Sequence, residues 1–339
     1  SETSAEPGPP SPSASDEVVP TVYIGPCNAS AAVAIGRGKF VVANDEDEIL
    51  RVYAFAEPRL LSESEDFHSR LELDKEADIE GAAQIGDVVY WIASHGRNRS
   101  GEERPDRRRF FATSIKEDFG GNVTISFEGK PYTKLIEDLA DAEHLSQYDF
   151  KKASDAAVGT TTGLNIEGLA ATTEGHLLIG FRGPLIEERA LIIPLLNPKS
   201  VITGDKPQFG EPIELDLGGR GIRSLDSDGQ AGFLIVAGAA EDRTEFRLYR
   251  WSGNAHEAPV YLVDVDIFAN HPDHDLSPEV LFVDSDDKSR VHMLSDDGKK
   301  PYLLHEMEDA EDCGDLGKKK KGLEKYDQRF RGFTVTLDE

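Results

Sequence analysis

The chain has 339 residues and a formal net charge of -27, with 64 acidic residues against 37 Lys and Arg. So large an excess of carboxylates excludes nucleic-acid binding through bulk charge, and it makes binding to an anionic lipid surface equally unfavourable. No stretch approaches the apolar run that would insert into a membrane. The length fits one large all-β unit or two ordinary domains.

Residues 1–17 consist mainly of Ser, Pro, Glu and Ala and contain almost nothing that could be buried. This composition predicts a disordered leader. The sequence does not begin with Met, and a Pro/Ser spacer is common just after a cleavage site in exported proteins. The leader therefore favours export, to the periplasm or the extracellular space, with a cytoplasmic location as the alternative.

Beyond the leader, five segments repeat one pattern: a polar residue opens a short apolar run, a Gly/Asp turn follows, and a second, more hydrophobic strand comes next. The recurring polar position is held by Ser30, Glu80, Glu167, Ser224 and Glu279. The intervals between these residues are 50, 87, 57 and 55 residues. A period of about 50 residues is typical of propeller blades.

We predict an all-β fold, a five-bladed β-propeller with one helical insertion, formed as a single domain by residues 18–339. The blades are expected at residues 30–75, 79–137, 166–217, 222–267 and 278–337. The leading strand, 18–24, is expected to complete the last blade, so that the ring closes without a free edge. The long second interval is explained by residues 132–162, where Leu135 and Leu139 lie at helical spacing.

The two cysteines lie near opposite ends of the chain. Because a propeller brings its chain ends together, Cys27 and Cys313 could form a disulfide that closes the ring in an oxidising compartment. Two unpaired thiols in a cytosolic protein are the alternative. The sequence leaves this choice open, and it does not define the oligomeric state.

The first residues of the innermost strands should converge on the central channel, and residues two apart in a strand share a side. One predicted ring is therefore Ser30, Glu80, Glu167, Ser224 and Glu279, and a second ring stacked on it is Asn28, Asp78, Asn165, Ile222 and Ser277. Three glutamates would repel one another and raise one another's pKa. A divalent cation relieves this repulsion, and an all-oxygen ligand set suits Ca²⁺ rather than zinc. The alternative is that the glutamates accept hydrogen bonds from backbone amides or from water.

The order Ser, Glu, Glu, Ser, Glu, one residue per blade, resembles that of the soluble calcium-activated apyrases, which are five-bladed propeller nucleotidases. The resemblance implies Ca²⁺ ligation by Ser30, Glu80, Glu167, Ser224 and Glu279, although the residues after the second-blade Glu differ from the apyrase pattern. The chain as a whole is more similar to an uncharacterised bacterial family of propeller-like proteins. The shared segments are Asp-Ile-Glu-Gly, Ser-His-x-Arg, Asn-Ile-Glu-Gly-Leu and Phe-Arg-Gly-Pro. They also resemble segments of propeller proteins described as phytase-like or esterase-like.

Several basic residues lie at corresponding strand ends of this acidic chain. His95 and Arg97 follow the second strand of blade two, Arg182 follows that of blade three, and Arg223 opens blade four. Arginine side chains at neighbouring strand ends suit the oxygen atoms of a phosphate or carboxylate ligand. The alternative is that these arginines pair with nearby acidic residues such as Glu102 and Glu187.

Two functions remain open at this point. One is a calcium-dependent hydrolase of a small phosphate ester, in which Arg97, Arg182 and Arg223 bind the anion and His95 or Asp78 moves a proton. The other is a non-catalytic propeller that contains a structural Ca²⁺ and binds a ligand or a protein. The sequence does not decide between an enzyme and a binding protein, and it names no substrate.

Overall fold

The computed structural model describes residues 20–241, 245–265, 276–297 and 328–337. Within this part of the chain, twenty strands form five four-stranded antiparallel sheets. The innermost strand of each sheet contacts the innermost strands of the two neighbouring sheets, so that the five sheets close into a ring. The predicted five-bladed β-propeller is confirmed.

The first strand of the chain, β1 (Thr21–Ile24), belongs to the last blade, and the next sixteen strands form the first four blades in sequence order. Blade 1 contains β2 (Ala29–Gly36), β3 (Lys39–Asn44), β4 (Arg51–Ala54) and β5 (Ser62–Glu63). Blade 2 contains β6 (Ile79–Ile85), β7 (Val88–Ala93), β8 (Phe110–Glu117) and β9 (Val123–Tyr132). Blade 3 contains β10 (Asn165–Ala171), β11 (Leu177–Gly183), β12 (Ala190–Leu195) and β13 (Ile213–Leu215). Blade 4 contains β14 (Gly221–Ser227), β15 (Phe233–Gly238), β16 (Phe246–Trp251) and β17 (Val260–Asp264).

Blade 5 combines strands from both parts of the chain. It contains β18 (Pro278–Val283), β19 (Arg290–Ser295), β20 (Arg329–Thr336) and, outermost, β1. Thr21 lies opposite Gly332, and Ile24 lies opposite Arg329. The predicted closure of the ring by the leading strand is therefore confirmed.

The second strand of each blade is buried because it lies in the middle of a sheet that is covered by the blades on both sides. In β3, Phe40, Val41 and Val42 are at most 1% exposed, although they alternate between the two faces of the sheet. The turn before β3 uses Gly36, Arg37 and Gly38, all with positive φ, which is the backbone form of a tight two-stranded hairpin.

The hydrophobic core is divided into clusters that lie between adjacent blades. One cluster joins blades 1 and 2 and includes Val41 and Trp91, and another joins blades 3 and 4 and includes Ile192 and Ile235. Between blades 5 and 1, the ring of Tyr23 meets that of Phe40 edge-on with centroids 5.3 Å apart, and Tyr23 belongs to the strand that closes the ring. Each blade therefore depends on its neighbours for burial.

The helical insertion also follows the prediction. Its elements are α1 (Leu135–Asp141), a 3₁₀ helix (Glu143–Tyr148) and α2 (Phe150–Asp155). Leu135, Leu139 and Leu145 are fully buried in the cluster between blades 2 and 3. Two further short elements are a 3₁₀ helix (Pro105–Arg107) and α3 (Pro198–Val201).

Some expectations concern residues beyond those described. The predicted leader, 1–17, and Cys313 lie outside the described residues, whereas Cys27 is buried. The disulfide and the export of the protein therefore stay predictions. Of the helices in the described part of the chain, none has the length and apolar composition that a membrane span requires.

Candidate cation site at the propeller axis

Each innermost strand begins with a β-bulge, where one residue has no partner in the pairing with the second strand. In every blade, one residue is skipped when the first strand pairs with the second. The skipped residues are Ser30, Glu80, Glu167, Arg223 and Glu279. Bulges of this kind re-aim a side chain and are frequent beside functional sites. These five residues are therefore the structurally equivalent ring at the axis.

The fourth member of this ring corrects the sequence prediction, which placed Ser224 there. The pairs Ile222–Ala237 and Ser224–Val236 leave Arg223 unpaired in the sheet register. The Ser224 hydroxyl instead accepts a hydrogen bond from the Leu281 amide at 3.0 Å and lies 3.3 Å from the Leu281 carbonyl oxygen, to which it donates. The order in the structure is thus Ser, Glu, Glu, Arg, Glu, which differs from the apyrase-like order at the fourth blade.

Two of the three ring glutamates are bound by arginine. Arg223 lies between two carboxylates, with Nε 2.6 Å from Glu167 Oε2 and Nη2 2.8 Å from Glu279 Oε1. Arg182 Nη1 is 3.0 Å from the other Glu167 oxygen, to which the Asn165 amide also donates. We call Glu167, Arg182, Arg223 and Glu279 the arginine network. Its two glutamates and two arginines have no net charge.

The third ring glutamate belongs to a different group. Asp45, Asp78 and Glu80 each bring one carboxylate oxygen within 4.8 Å of the others, and we call these three residues the acidic cluster. Among the residues that the structure describes, Arg107 alone forms an ion pair with this cluster, at 3.2 Å from Asp78 Oδ2. The Ser94 hydroxyl donates to the same Asp78 oxygen at 2.6 Å. When all three carboxyls are ionised, the cluster and Arg107 together have a net charge of minus two.

The environment of the acidic cluster disfavours its ionised form. Burial raises the pKa of Asp45 and of Glu80 well above the ordinary values, and the neighbouring carboxylates raise both further. Burial also raises the pKa of Asp78, against the opposing effect of Arg107. The site therefore favours neutralisation of these carboxyls, by protons or by a cation.

Several oxygen atoms beside the cluster have unused hydrogen-bonding capacity. Asp45 Oδ1, Ser30 Oγ and Asn28 Oδ1 are buried and have no partner in hydrogen-bonding geometry among the described residues. The Ser30 hydroxyl lies beside the Asp45 carboxylate. Buried polar atoms without a partner are rare, and they are often explained by an ion or a water molecule. Carboxylate, hydroxyl and amide oxygens are the ligands that Ca²⁺ prefers.

His95, one of the two predicted proton-transfer residues, is buried and neutral. Its Nδ1 lies 2.8 Å from the Ala93 carbonyl oxygen, so that Nδ1 carries the proton and donates it. Burial lowers the pKa of His95 to about 4. His95 is not a member of the acidic cluster, whereas the other predicted residue, Asp78, is part of it.

The predicted anion-binding arginines contact protein oxygens. Arg97 lies at the helical insertion, where it donates to the carbonyl oxygen of Ser154 and pairs with Asp155 at 3.0 Å. Arg182 and Arg223 belong to the arginine network, and Arg182 also donates to the Ala239 carbonyl oxygen. Phosphate binding by these arginines stays a prediction, and their present contacts count against it.

Sequence reasoning missed Asp45, and it grouped Arg107 with the basic residues of blade two without connecting it to Asp78. Asp45 directly follows β3, and Arg107 lies in the connection between β7 and β8. Second strands run antiparallel to first strands, so the residues after a second strand return to the end where the ring residues lie. The acidic residue directly after β3 could have indicated that Asp45 lies near the ring. It was overlooked because it is part of the run Asp45-Glu46-Asp47-Glu48, which is typical of a solvated turn.

The comparison with protein families gives one match. Residues 123–276 match the family model described as "Protein of unknown function (DUF3616)". This region extends from β9 through blade 3 and blade 4, and it includes Glu167, Arg182 and Arg223 but not the acidic cluster. Among curated proteins, none matches the sequence.

Solved structures that align with this protein have low sequence identity to it. The glutaminyl cyclase of Myxococcus xanthus is 12% identical, with a TM-score of 0.42 and coverage of 95% of this chain and 98% of that one. A putative oxidoreductase (glucose dehydrogenase) from Thermus thermophilus is 12% identical, with a TM-score of 0.42 and coverage of 94% and 100%. At these values neither likeness carries an argument about function.

Proposed function

We propose that this protein is a propeller that binds a divalent cation, with Ca²⁺ as the ion and Asp45, Asp78 and Glu80 as its carboxylate ligands. The observation that carries the proposal is the acidic cluster itself: three carboxylates meet at the axis, and one arginine compensates them. A divalent cation would balance the two remaining charges. The Ser30 hydroxyl, which lies beside the Asp45 carboxylate, would add a fourth oxygen ligand to these three carboxylates.

The proposal assigns the ion to fewer residues than the sequence pattern implied. Glu167 and Glu279 are bound to Arg223, and Ser224 is bound to Leu281, so we do not count these three as ligands. Ca²⁺ is favoured over Mg²⁺ because the ligands come from two blades and differ in length, whereas Mg²⁺ demands a near-ideal octahedron.

Of the two functions left open by the sequence, the non-catalytic ligand-binding propeller is better supported than the hydrolase. A phosphate ester needs cations that are available to its oxygens, and the arginines predicted for that role are engaged by Glu167, Glu279, Asp155 and backbone carbonyls. His95, with a pKa lowered to about 4, is neutral at pH 7 and donates its one proton to the Ala93 carbonyl. The hydrolase hypothesis stays a prediction without a structural observation in its favour.

The test is metal dependence of stability. Purified protein treated with a chelator and dialysed should melt at a lower temperature and should regain stability with Ca²⁺ more than with Mg²⁺. At a Ca²⁺ concentration one hundred times Kd, the stabilisation is about 2.7 kcal/mol, or roughly 5 °C for a domain of this size. Asp45→Asn and Glu80→Gln should each weaken this response.

The matched control is Glu174→Gln, which removes the same charge from an exposed turn of blade 3. This variant should respond to Ca²⁺ as the unmodified protein does. If elemental analysis finds no metal and the melting temperature does not change with chelator or with added Ca²⁺, the acidic cluster is a protonated, hydrogen-bonded plug and the proposal is wrong.

A further inference from the structure

Arg223 occupies a space at the axis that is shaped for an arginine side chain. Its side chain is buried, and its guanidinium lies over the Phe246 ring at 5.2 Å from the centroid. A Cβ at position 238 would lie 2.8 Å from Arg223 Cγ, so Gly238 leaves the space that the side chain occupies. The blade is therefore built around an arginine at this position.

The guanidinium group of this arginine pairs with carboxylates of two blades other than its own. Glu167 belongs to blade 3 and Glu279 to blade 5, and their carboxylate oxygens lie 2.6 Å and 2.8 Å from the guanidinium nitrogens. Burial by itself would lower the pKa of Arg223, but Glu167, Glu279 and, less strongly, Glu80 outweigh burial and hold the pKa above its ordinary value. Arg223 is thus a permanent cation that bridges two carboxylates, which is what a metal ion would do at the same place.

Without that bridge, Glu279 would lose its arginine partner and Glu167 would keep only Arg182. Glu279 and Glu167 already act electrostatically on Glu80, and Glu279 acts on Asp45. Five carboxylates around one channel, compensated by Arg107 and Arg182 alone, would have an excess of three negative charges, which is more than one divalent cation balances.

We infer that Arg223 is a built-in counter-cation that limits the axis to one divalent ion and confines that ion to the acidic cluster. The inference rests on the proposed function and adds the residue that sets the number and position of the ions. Arg223 is a positioning residue in this account, since it acts on the ion through Glu167 and Glu279 and not by contact.

The experiment is calorimetric titration with CaCl₂ alone, supported by elemental analysis of the dialysed protein. The unmodified protein should bind one Ca²⁺. Arg223→Gln, which removes the charge and keeps much of the length, should bind two. Arg223→Lys, the control that keeps the charge, should bind one.

Arg223→Gln could fail to fold without metal because it leaves buried carboxylates without a partner. The double variant Arg223→Gln/Glu167→Gln limits this imbalance, since it removes one positive and one negative charge together, and Arg182 keeps its hydrogen bonds to the Ala239 and Glu241 carbonyl oxygens. Glu279 is then released to join the acidic cluster, so this variant should bind one Ca²⁺ at least tenfold more tightly than the unmodified protein.

The outcomes separate the two proposals. If the unmodified protein binds no Ca²⁺, the proposed function is wrong. If it binds one Ca²⁺ and Arg223→Gln also binds one, or if the double variant binds Ca²⁺ with unchanged affinity, the cation site stands and the role of Arg223 is overturned.

Discussion

The acidic cluster and the arginine network lie beside the same channel, and they differ in how their carboxylates are neutralised. In the arginine network, Glu167 and Glu279 are neutralised by guanidinium groups of the protein itself. In the acidic cluster, three carboxylates share Arg107 alone among the described residues, and the pKa of each is raised. Converging carboxylates therefore do not by themselves mark a metal site. The proposed cation site differs in that its carboxylates outnumber the arginines that pair with them.

The largest effect should come from breaking the arginine network. Glu167→Gln removes the carboxylate that binds both Arg182 and Arg223 and leaves two buried arginines with incomplete partners. We expect a loss of roughly 3–5 kcal/mol in the free energy of unfolding, the usual cost of breaking a buried pair. Urea unfolding of this variant beside Glu174→Gln measures the loss. A decrease no larger than that of the control would mean that the network contributes no stability.

The next effect concerns pH and lies at the seam between blades 4 and 5. Burial raises the pKa of Asp226 from 3.8 to about 7, although its carboxylate accepts hydrogen bonds from the Val283 and Ser227 amides. The folded protein therefore holds this proton more strongly than the unfolded chain does. Its contribution to stability is fully present below about pH 4 and is lost as the pH rises through 7.

We expect the free energy of unfolding to fall by about 2 kcal/mol over this range on account of Asp226, a discounted figure for a shift of this size. Urea unfolding at several pH values, for the unmodified protein and for Asp226→Asn, measures the difference in slope. Some slope should remain in Asp226→Asn, because the acidic cluster also titrates with raised pKa values. Identical slopes in the two proteins would contradict the buried, protonated Asp226.

A smaller effect tests the corrected position of Ser224. Ser224→Ala leaves the buried Leu281 amide without its partner, so the free energy of unfolding should fall by about 1–2 kcal/mol. The Ca²⁺ affinity of this variant, measured by calorimetry, should not change, because the Ser224 hydroxyl bonds to Leu281 of blade 5 and is not a proposed ligand of the ion. A Ca²⁺ affinity reduced tenfold with unchanged stability would restore Ser224 to the ring of ligands.

The smallest predicted effect is a change in the stability of Glu80→Gln, which should have opposite signs in the absence and in the presence of Ca²⁺. In chelator, Glu80→Gln should increase the free energy of unfolding by about 1 kcal/mol, because it relieves a buried carboxylate that is repelled by Asp45 and Asp78. In saturating Ca²⁺ the same variant should be less stable than the unmodified protein. Melting curves in the two buffers give both signs, and a loss of stability in chelator would mean that Glu80 has a partner in the metal-free protein.

Much of the fold was predictable because it depends on local patterns. The apolar second strands and the turns that precede them indicate where each blade lies, and Leu135 and Leu139 indicate the helical insertion. The closing strand was predictable from topology, since an unpaired edge at β20 would otherwise remain.

The site was less predictable because a shift of one residue changes which side chain reaches the axis. The bulge in blade 4 brings Arg223 to the ring in place of Ser224, and the sequence pattern alone offered no means of locating that bulge. Asp45 was missed because its neighbour in space, Glu80, is distant in sequence, and an acidic run after a strand is typical of a turn. The position of a bulge and the packing of distant segments decide which residues line the channel, and therefore its charge.

The composition of blade 5 has a consequence for how this protein is made. Blades 1 to 4 are each built from strands that are close in sequence, so each of them can form while the chain is still being synthesised. β1 is made first, yet its partner β20 follows about 300 residues later, a separation that carries a large loop-closure cost. The ring therefore stays open during most of synthesis, and closing it is a single late event. Since residues from blades 3, 4 and 5 meet in the arginine network, the channel acquires its final charge only in the finished ring.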